Sequence, residues 1–170
     1  FGKNFSDFLA SLDKTIQNKN FFLTDERITN KKNKKNYDLI IKKIKASKNL
    51  NNNNFYRFEF SKKENLTHVV KKLDLVFLSL GEDGHLAGHF FNSMNLNNSV
   101  CYTENASSPP LKRISYRIEF LTKAKQILLI VLGNEKKQAF NLLLKSKNIH
   151  SKYILSSKKI FVLTDINNII

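Results

Sequence analysis

Two near-continuous apolar runs limit what this chain can fold into: Leu73 to Leu80 (LDLVFLSL) and Ile127 to Leu132 (ILLIVL). A strand with one wet face alternates apolar and polar residues, so runs without alternation belong to strands covered on both faces, as in a parallel sheet. Parallel strands need crossovers, and helical patterns lie between these runs. Residues 5–17 place Phe5, Phe8, Leu9, Leu12 and Ile16 at helical spacing, with Asp7 and Asp13 opposite. Residues 36–46 put Tyr37, Ile40, Ile41 and Ile44 on one helical face. Phe21-Phe22-Leu23 reads as a short buried strand. After ILLIVL come a Gly133-Asn134 break and a helix with Ala139, Phe140, Leu142, Leu143 and Leu144, and Ile160 to Leu163 closes the series. The alternation predicts an α/β fold, a doubly wound, mostly parallel, Rossmann-like sheet with helices on both faces. Arg113 to Glu119 (RISYRIE) alternates instead, as an edge or antiparallel strand does.

The 170 residues are read as a single domain over 1–170. Two polar stretches read as surface insertions: about 48–54, ending in Asn51-Asn52-Asn53-Asn54, and about 95–111, with Pro109-Pro110. At 41% apolar and 25% charged residues, the balance is that of a soluble globular protein. No apolar stretch approaches the ~20 residues of a membrane-spanning helix. The lone cysteine, Cys101, excludes an internal disulfide framework, and Phe1-Gly2-Lys3-Asn4 does not open a signal peptide. A reducing, cytoplasmic setting is expected, with no membrane partner.

Charge narrows the partners. Lys+Arg 29 minus Asp+Glu 14 gives +15, a field that attracts polyanions or phosphorylated substrates. Most of it is lysine beside asparagine, as in Asn30-Lys31-Lys32-Asn33-Lys34-Lys35-Asn36, the bias an AT-rich coding sequence produces without functional pressure. The lysines are scattered and no stacking-aromatic motif accompanies them, so a nucleic-acid or polyanion-binding module is an alternative rather than the main reading. The scarce arginines Arg27, Arg57, Arg113 and Arg117 are the more informative cations.

In an open α/β sheet, ligands bind beyond the carboxyl ends of the strands. After Phe21-Phe22-Leu23 comes Thr24-Asp25-Glu26-Arg27; after LDLVFLSL comes Gly81-Glu82-Asp83-Gly84-His85; after ILLIVL comes Gly133-Asn134-Glu135-Lys136. Asp25, Arg27, Asp83, His85 and Lys136 can therefore converge on one crevice, with Arg113 a further candidate. The glycine-framed Gly81-x-Asp83-Gly84-His85 turn is the strongest local signal, since it lets backbone N–H groups approach an anion at the start of a following helix. A histidine held there suits a general base. The competing reading has Asp83 and His85 capping that helix and satisfying each other. His85 and His89 stand at a zinc-binding spacing for a helix, but no third ligand accompanies them, so no metal is expected. Asp25-Glu26-Arg27 alone would read as a solvated loop, and His68 and His150 as structural or exposed. Cys101 has no histidine beside it and is not read as a nucleophile.

Taken in order, these segments resemble the 6-phosphogluconolactonase family, which is related to the glucosamine-6-phosphate deaminases. Asp25-Glu26-Arg27 resembles its DER strand end, and Lys35-Asn36-Tyr37 its Ser-Asn-Tyr helix start. Leu80-Gly81-Glu82-Asp83-Gly84-His85-Leu86-Ala87-Gly88-His89-Phe90 resembles its LGxGxDGHxASLFP signature. Arg113-Ile114-Ser115 resembles its RIT segment, Gly133-Asn134-Glu135-Lys136 its GxxK strand end, and Phe161 to Asp165 its closing strand. Three departures stand out. The family's N-terminal strand and Ser-Gly-Gly phosphate loop have no counterpart before residues 1–12, so the domain reads as truncated at its start. Lys35 replaces a serine, and Phe90-Phe91 replaces Phe-Pro. The deaminases' Phe-Asn-Glu-Pro continuation is absent, which favours the lactonase over a deaminase/isomerase-type sugar-phosphate enzyme.

The resemblance implies hydrolysis of 6-phospho-D-glucono-1,5-lactone to 6-phosphogluconate in the oxidative pentose phosphate pathway, with no cofactor. His85 would be the general base, Asp83 would fix the turn and imidazole, and Arg27, oriented by Asp25, would position the sugar acid. Arg113 and Lys136 would hold the phosphate, with Asn36, Gly81 and Gly84 as further substrate contacts. Some family members are fused to glucose-6-phosphate dehydrogenase, which makes that enzyme the implied partner.

Overall fold

A computed structural model describes residues 19–31, 34–46, 55–58, 72–96, 99–157 and 159–167. The helix expected over 5–17, the insertion about 48–54 and His68 lie outside the described residues. The described elements run β1 (Phe21–Phe22), β2 (Asp25–Arg27), α1 (Asn36–Ala46), β3 (Phe55–Tyr56), β4 (Leu75–Ser79), β5 (Met94–Asn95) and β6 (Val100–Thr103). They continue with β7 (Arg113–Tyr116), α2 (Ile118–Leu121), β8 (Gln126–Val131), a 3-10 turn (Asn134–Lys136), α3 (Lys137–Leu144), α4 (Ser151–Leu155) and β9 (Ile160–Thr164).

The α/β class holds, and the apolar runs become parallel strands. β4 pairs with β8 from Leu75↔Gln126 to Ser79↔Ile130, and β8 with β9 from Ile127↔Ile160 to Val131↔Thr164. Burial alternates even here: Val76, Leu78, Ile127, Leu129 and Val131 are buried, while Phe77, Leu128 and Ile130 are half-buried. Among the described residues β9 is an edge strand, with Phe161, Val162 and Leu163 exposed.

The expectation of one mostly parallel sheet needs correction. Among the described residues there are two parallel sheets, β1-β3 and β4-β8-β9, and an antiparallel one of order β2-β7-β6-β5. RISYRIE does give an antiparallel strand, but β7 lies between β2 and β6 and all four of its residues are buried, so it is no edge. The stretch about 95–111, read as a surface insertion, contains β6, whose Val100 and Cys101 are fully buried. It pairs with β7 across the Pro109-Pro110 loop and with β5 on its other side, and this pairing explains the burial. A further correction concerns the residues after His85. They form turns and isolated bridges, Leu80↔Leu86 and Leu86↔His89, instead of a helix. Gly84 at φ +86° and Ala87 at φ +54° both lie outside helical backbone.

One core joins the two larger sheets. Leu78, Leu129 and Val131 of the parallel sheet share it with Val100 and Ile114 of the antiparallel sheet, together with Leu86, Ile118, Phe140 and Leu143. Leu86 lies within the glycine-rich turn and is fully buried, so the turn is anchored by about 1.5–3 kcal/mol of apolar burial at that one residue.

Candidate active site

The turn begins where β4 ends. The Gly81 N–H donates to the His85 carbonyl (2.9 Å) and the Gly84 N–H to the Gly81 carbonyl (3.0 Å), closing a compact loop. Within it the His85 N–H donates to Asp83 Oδ1 (3.2 Å), and His85 Nδ1 pairs with the same carboxylate oxygen. An Nδ1–H given to a carboxylate leaves Nε2 with the free lone pair, which is the arrangement of a general base. Phe90 stacks on the imidazole at 4.2 Å between ring centroids. The His85 side chain is 27% exposed and Asp83 39%, so the pair faces solvent and stays accessible. Gly81 is needed for close approach: a Cβ there would run into the His85 ring and the Asp83 carboxylate. Partial burial pushes the Asp83 carboxyl up, but the hydrogen bonds and charge of His85, with a hydrogen bond from Ser107, leave it below its ordinary value.

The second half of the loop seats this pair on the antiparallel sheet. The Gly88 N–H donates to Ser115 Oγ (3.1 Å), which donates on to the Thr24 carbonyl (3.1 Å). Thr103 Oγ1 donates to the Gly88 carbonyl (3.3 Å), and the Phe90 N–H donates to Ser93 Oγ (2.8 Å). The approach is close enough that a Cβ on Gly88 would stand 3.0 Å from that of Asp25 and 3.4 Å from that of Arg113. The loop therefore lies against the strands that carry Asp25, Arg27 and Arg113.

On those strands Arg27 stands opposite Arg113 and Asp25 opposite Ser115. Asn36 Nδ2 donates to Asp25 Oδ2 (3.0 Å), so Asn36 orients that carboxylate. Arg27 Nη1 donates to the Lys34 carbonyl (3.2 Å). Arg113 is buried, at 5% exposure, and its guanidinium donates to the carbonyls of Ser108 (3.0 Å) and Lys112 (3.3 Å). It thereby holds the loop that contains the cis Pro109-Pro110 bond. Burial, and then the nearby charge of Arg27, lower its pKa, with Asp25 and Glu26 opposing. Lys136 comes from the other side: its Nζ reaches Ser79 Oγ (3.4 Å) at the carboxyl end of β4. The segments singled out in the sequence thus meet around one loop.

Two features escaped the sequence reading. Glu26, read as part of a solvated trio, is buried and accepts from the N–H groups of Asn36 (2.6 Å), Tyr37 (3.0 Å) and Arg27 (2.7 Å). It caps α1 from ten residues away, satisfying N–H groups that no helical turn can. Burial raises its pKa, while those three donors pull the other way. His150 is fully buried and packs edge-on against His89, whose Nδ1 accepts from the Ile118 N–H (3.4 Å). With His89 placed by that bond and His85 by Asp83, and no helix joining them, the helical premise of a His85–His89 metal pair fails. Among the described residues no group of three or more His, Cys, Asp or Glu is arranged to hold a metal. Cys101 is buried, and burial pushes its thiol up to about 12, which removes it as a nucleophile. No helix among the described residues is long and apolar enough to cross a membrane.

Comparison with known proteins bears on the family and the fold. The chain is 29% identical to the 6-phosphogluconolactonase of Borreliella burgdorferi over 191 residues, covering 97% of this chain and 81% of that protein. A probable 6-phosphogluconolactonase of rice is 32% identical over 74 residues, which cover 42% of this chain and 26% of the rice protein. The match thus spans about a quarter of the rice protein. Glucosamine-6-phosphate deaminases are among the relatives as well. In fold, the chain superposes on the 6-phosphogluconolactonase of Trypanosoma brucei with a TM-score of 0.73 at 17% identity, covering 96% of this chain and 80% of that one. The profile of the family "Glucosamine-6-phosphate isomerases/6-phosphogluconolactonase" matches residues 2–161. With that profile covering most of its length, the chain belongs to the glucosamine-6-phosphate isomerase/6-phosphogluconolactonase family.

Proposed function

We propose that this site hydrolyses 6-phospho-D-glucono-1,5-lactone to 6-phosphogluconate. The observation that carries the reading is the solvent-facing His85–Asp83 pair on its rigid turn, with Lys136 on one side and Arg27 on the other. A δ-lactone is an activated ester, so one oriented base and an electrostatic partner for the developing oxyanion are enough. His85 Nε2 takes a proton from water as the water oxygen bonds to the lactone carbonyl carbon. The Asp83 carboxylate stabilises the imidazolium that forms. The tetrahedral intermediate then expels the ring oxygen, which receives the proton from His85. Arg27, two residues from Asp25 on β2, positions the sugar hydroxyls or the oxyanion, and Lys136 holds the 6-phosphate as a point charge. Arg113 braces the proline loop and adds its field to the phosphate. Lactone and product are the only small-molecule partners this scheme needs; the domain over 1–170 works with a dehydrogenase that supplies the lactone.

The test is His85→Ala, assayed in the purified chain with spontaneous hydrolysis subtracted. The rate should fall ~10²–10⁴-fold, and the fold should survive, because truncating a half-exposed turn residue rarely costs more than ~1 kcal/mol. Wild-type turnover in that variant would sink the assignment of the base. Ammonia release from glucosamine 6-phosphate, without lactone hydrolysis by the unaltered chain, would replace the lactonase reading by the deaminase one.

A further inference from the structure

The loop from Gly81 to Phe90 has a second set of polar contacts, apart from those to the antiparallel sheet. Through them it meets the connection between α3 and α4. Asn148 Nδ2 donates to the Gly84 carbonyl (2.9 Å), and His150 Nε2 lies 3.0 Å from the His89 carbonyl. A carbonyl only accepts, so His150 carries its proton on Nε2 and donates it. The connection is braced in turn. The His150 N–H donates to Asn148 Oδ1 (2.8 Å), and the Asn148 N–H to Ser151 Oγ (3.1 Å). Both ends of the Asn148 amide are therefore committed, its oxygen to His150 and its nitrogen to Gly84. The opposite flip would set oxygen against oxygen at Gly84. The fit is tight, since a Cβ on Gly84 would collide with the Asn148 amide nitrogen.

The two clamped carbonyls belong to residues on either side of His85 in the chain. Within the turn, the imidazole is aimed by Asp83 and Phe90, which ride on the same loop. Leu86 anchors the loop in the core it shares with Phe140 and Leu143, but apolar packing is non-directional and does not fix the orientation of the polar turn. We propose that Asn148 and His150 are positioning residues: by gripping Gly84 and His89 they hold the His85 turn at the place and angle the reaction needs. The inference rests on the reading of His85 as the base. Neither residue touches the reacting atoms, and each acts only through the backbone of the loop.

The experiment uses the purified chain and three variants. Asn148→Asp keeps the oxygen that braces His150 and removes the donor to Gly84. His150→Phe keeps a ring of similar size and removes the donor to His89, and His150→Gln restores an N–H donor. The readouts are kcat and KM for the phosphorylated lactone, and hydrogen exchange of the amides from Gly81 to Phe90. Asn148→Asp and His150→Phe should lower kcat ~10–100-fold with KM within about twofold, as expected of a misplaced catalytic group. Exchange in the turn should accelerate ~10-fold or more while β8 amides keep their protection, and His150→Gln should recover most of both effects. Unchanged kcat with unchanged turn exchange in Asn148→Asp overturns the proposal. So does a loss that merely tracks the folded fraction, with His150→Gln no better than His150→Phe. If the unaltered chain does not hydrolyse the lactone, the function fails separately, and the exchange arm alone decides the clamp: acceleration confined to the turn supports it, and no acceleration overturns it.

Discussion

The two halves of the loop from Gly81 to Phe90 use the same residue types for opposite ends. In the first half, His85 faces solvent and its ring is bound to a carboxylate, so it can exchange a proton with a ligand. In the second half, Leu86 is fully buried, Gly88 is pinned from both sides, and burial lowers the pKa of His89. Two histidines four residues apart therefore sit in different surroundings. In the proposed reading, exposure and the partner of Nδ1, not residue type, set His85 apart as the base and His89 as structural. The loop is anchored in one half and exposed in the other.

Truncating the buried half should produce the largest change in stability. Leu86→Ala removes a fully buried side chain from the core that joins both sheets, and should cost about 2–5 kcal/mol. Urea denaturation measures it, and the turnover of the molecules that stay folded should fall far less than in His85→Ala. A variant that keeps its stability but loses turnover would break the division between the halves.

The pH dependence of stability should sharpen the same contrast. His150 is fully buried, and burial, then the charge of His89, hold its pKa down to about 4, against 6.5 for a free imidazole. Between those values the unfolded chain binds a proton that the folded chain refuses, so stability falls as pH drops from 6.5 towards 4. From pH 7.5 to 5 the loss is about 2 kcal/mol. Glu119 adds to it lower down. Burial alone would raise its carboxyl, but Arg117 (2.8 Å) and Tyr153 (2.7 Å) hold it at about 2. Its contribution is complete above 4.5 and is lost as pH falls towards 2. Glu26 runs the other way, because its raised pKa makes acid relieve its burial cost. His150→Gln should flatten the slope between pH 7.5 and 5. An unaltered slope would mean that His150 is not the buried neutral group responsible.

Legibility in the sequence followed the range of the interactions. β4 and β8 were readable because hydrophobic runs are local, and so was the Gly81–His85 turn, because its partners lie within the same five residues. β6 was not: Val100-Cys101-Tyr102-Thr103 sits among Asn, Ser and Pro, and its pairing with β7 and β5 on either side makes it a buried strand. Glu26 was misread for the same reason, since the helix it caps starts ten residues later and across a turn. His150 carried no signal at all. Its partner is a backbone carbonyl 61 residues away, and carbonyls are invisible to any pattern of side chains. The order of segments, compared as a set with a known family, grouped them into one candidate site where single motifs could not.

The smallest effects should come from charge that lies outside both halves of the loop. Lys136 is half-buried and reaches the end of β4, whereas Lys31 and Lys34 are exposed and Lys35 half-buried ahead of α1. If Lys136 holds the phosphate as proposed, Lys136→Met should lower kcat/KM for the phosphorylated lactone by ~10–150-fold, equivalent to about 1.5–3 kcal/mol. Unphosphorylated gluconolactone should be turned over within about twofold of the unaltered chain. Replacing Lys31, Lys34 and Lys35 together by glutamine removes only part of a long-range field. Its effect should stay within about threefold at low salt and vanish near physiological ionic strength, where the Debye length is ~8 Å. The contrast between the two variants at high salt separates a bound charge from a diffuse one. If the triple variant loses the phosphorylated substrate as badly as Lys136→Met under those conditions, the phosphate lies near the start of α1, and the grip has been assigned to the wrong side of the turn.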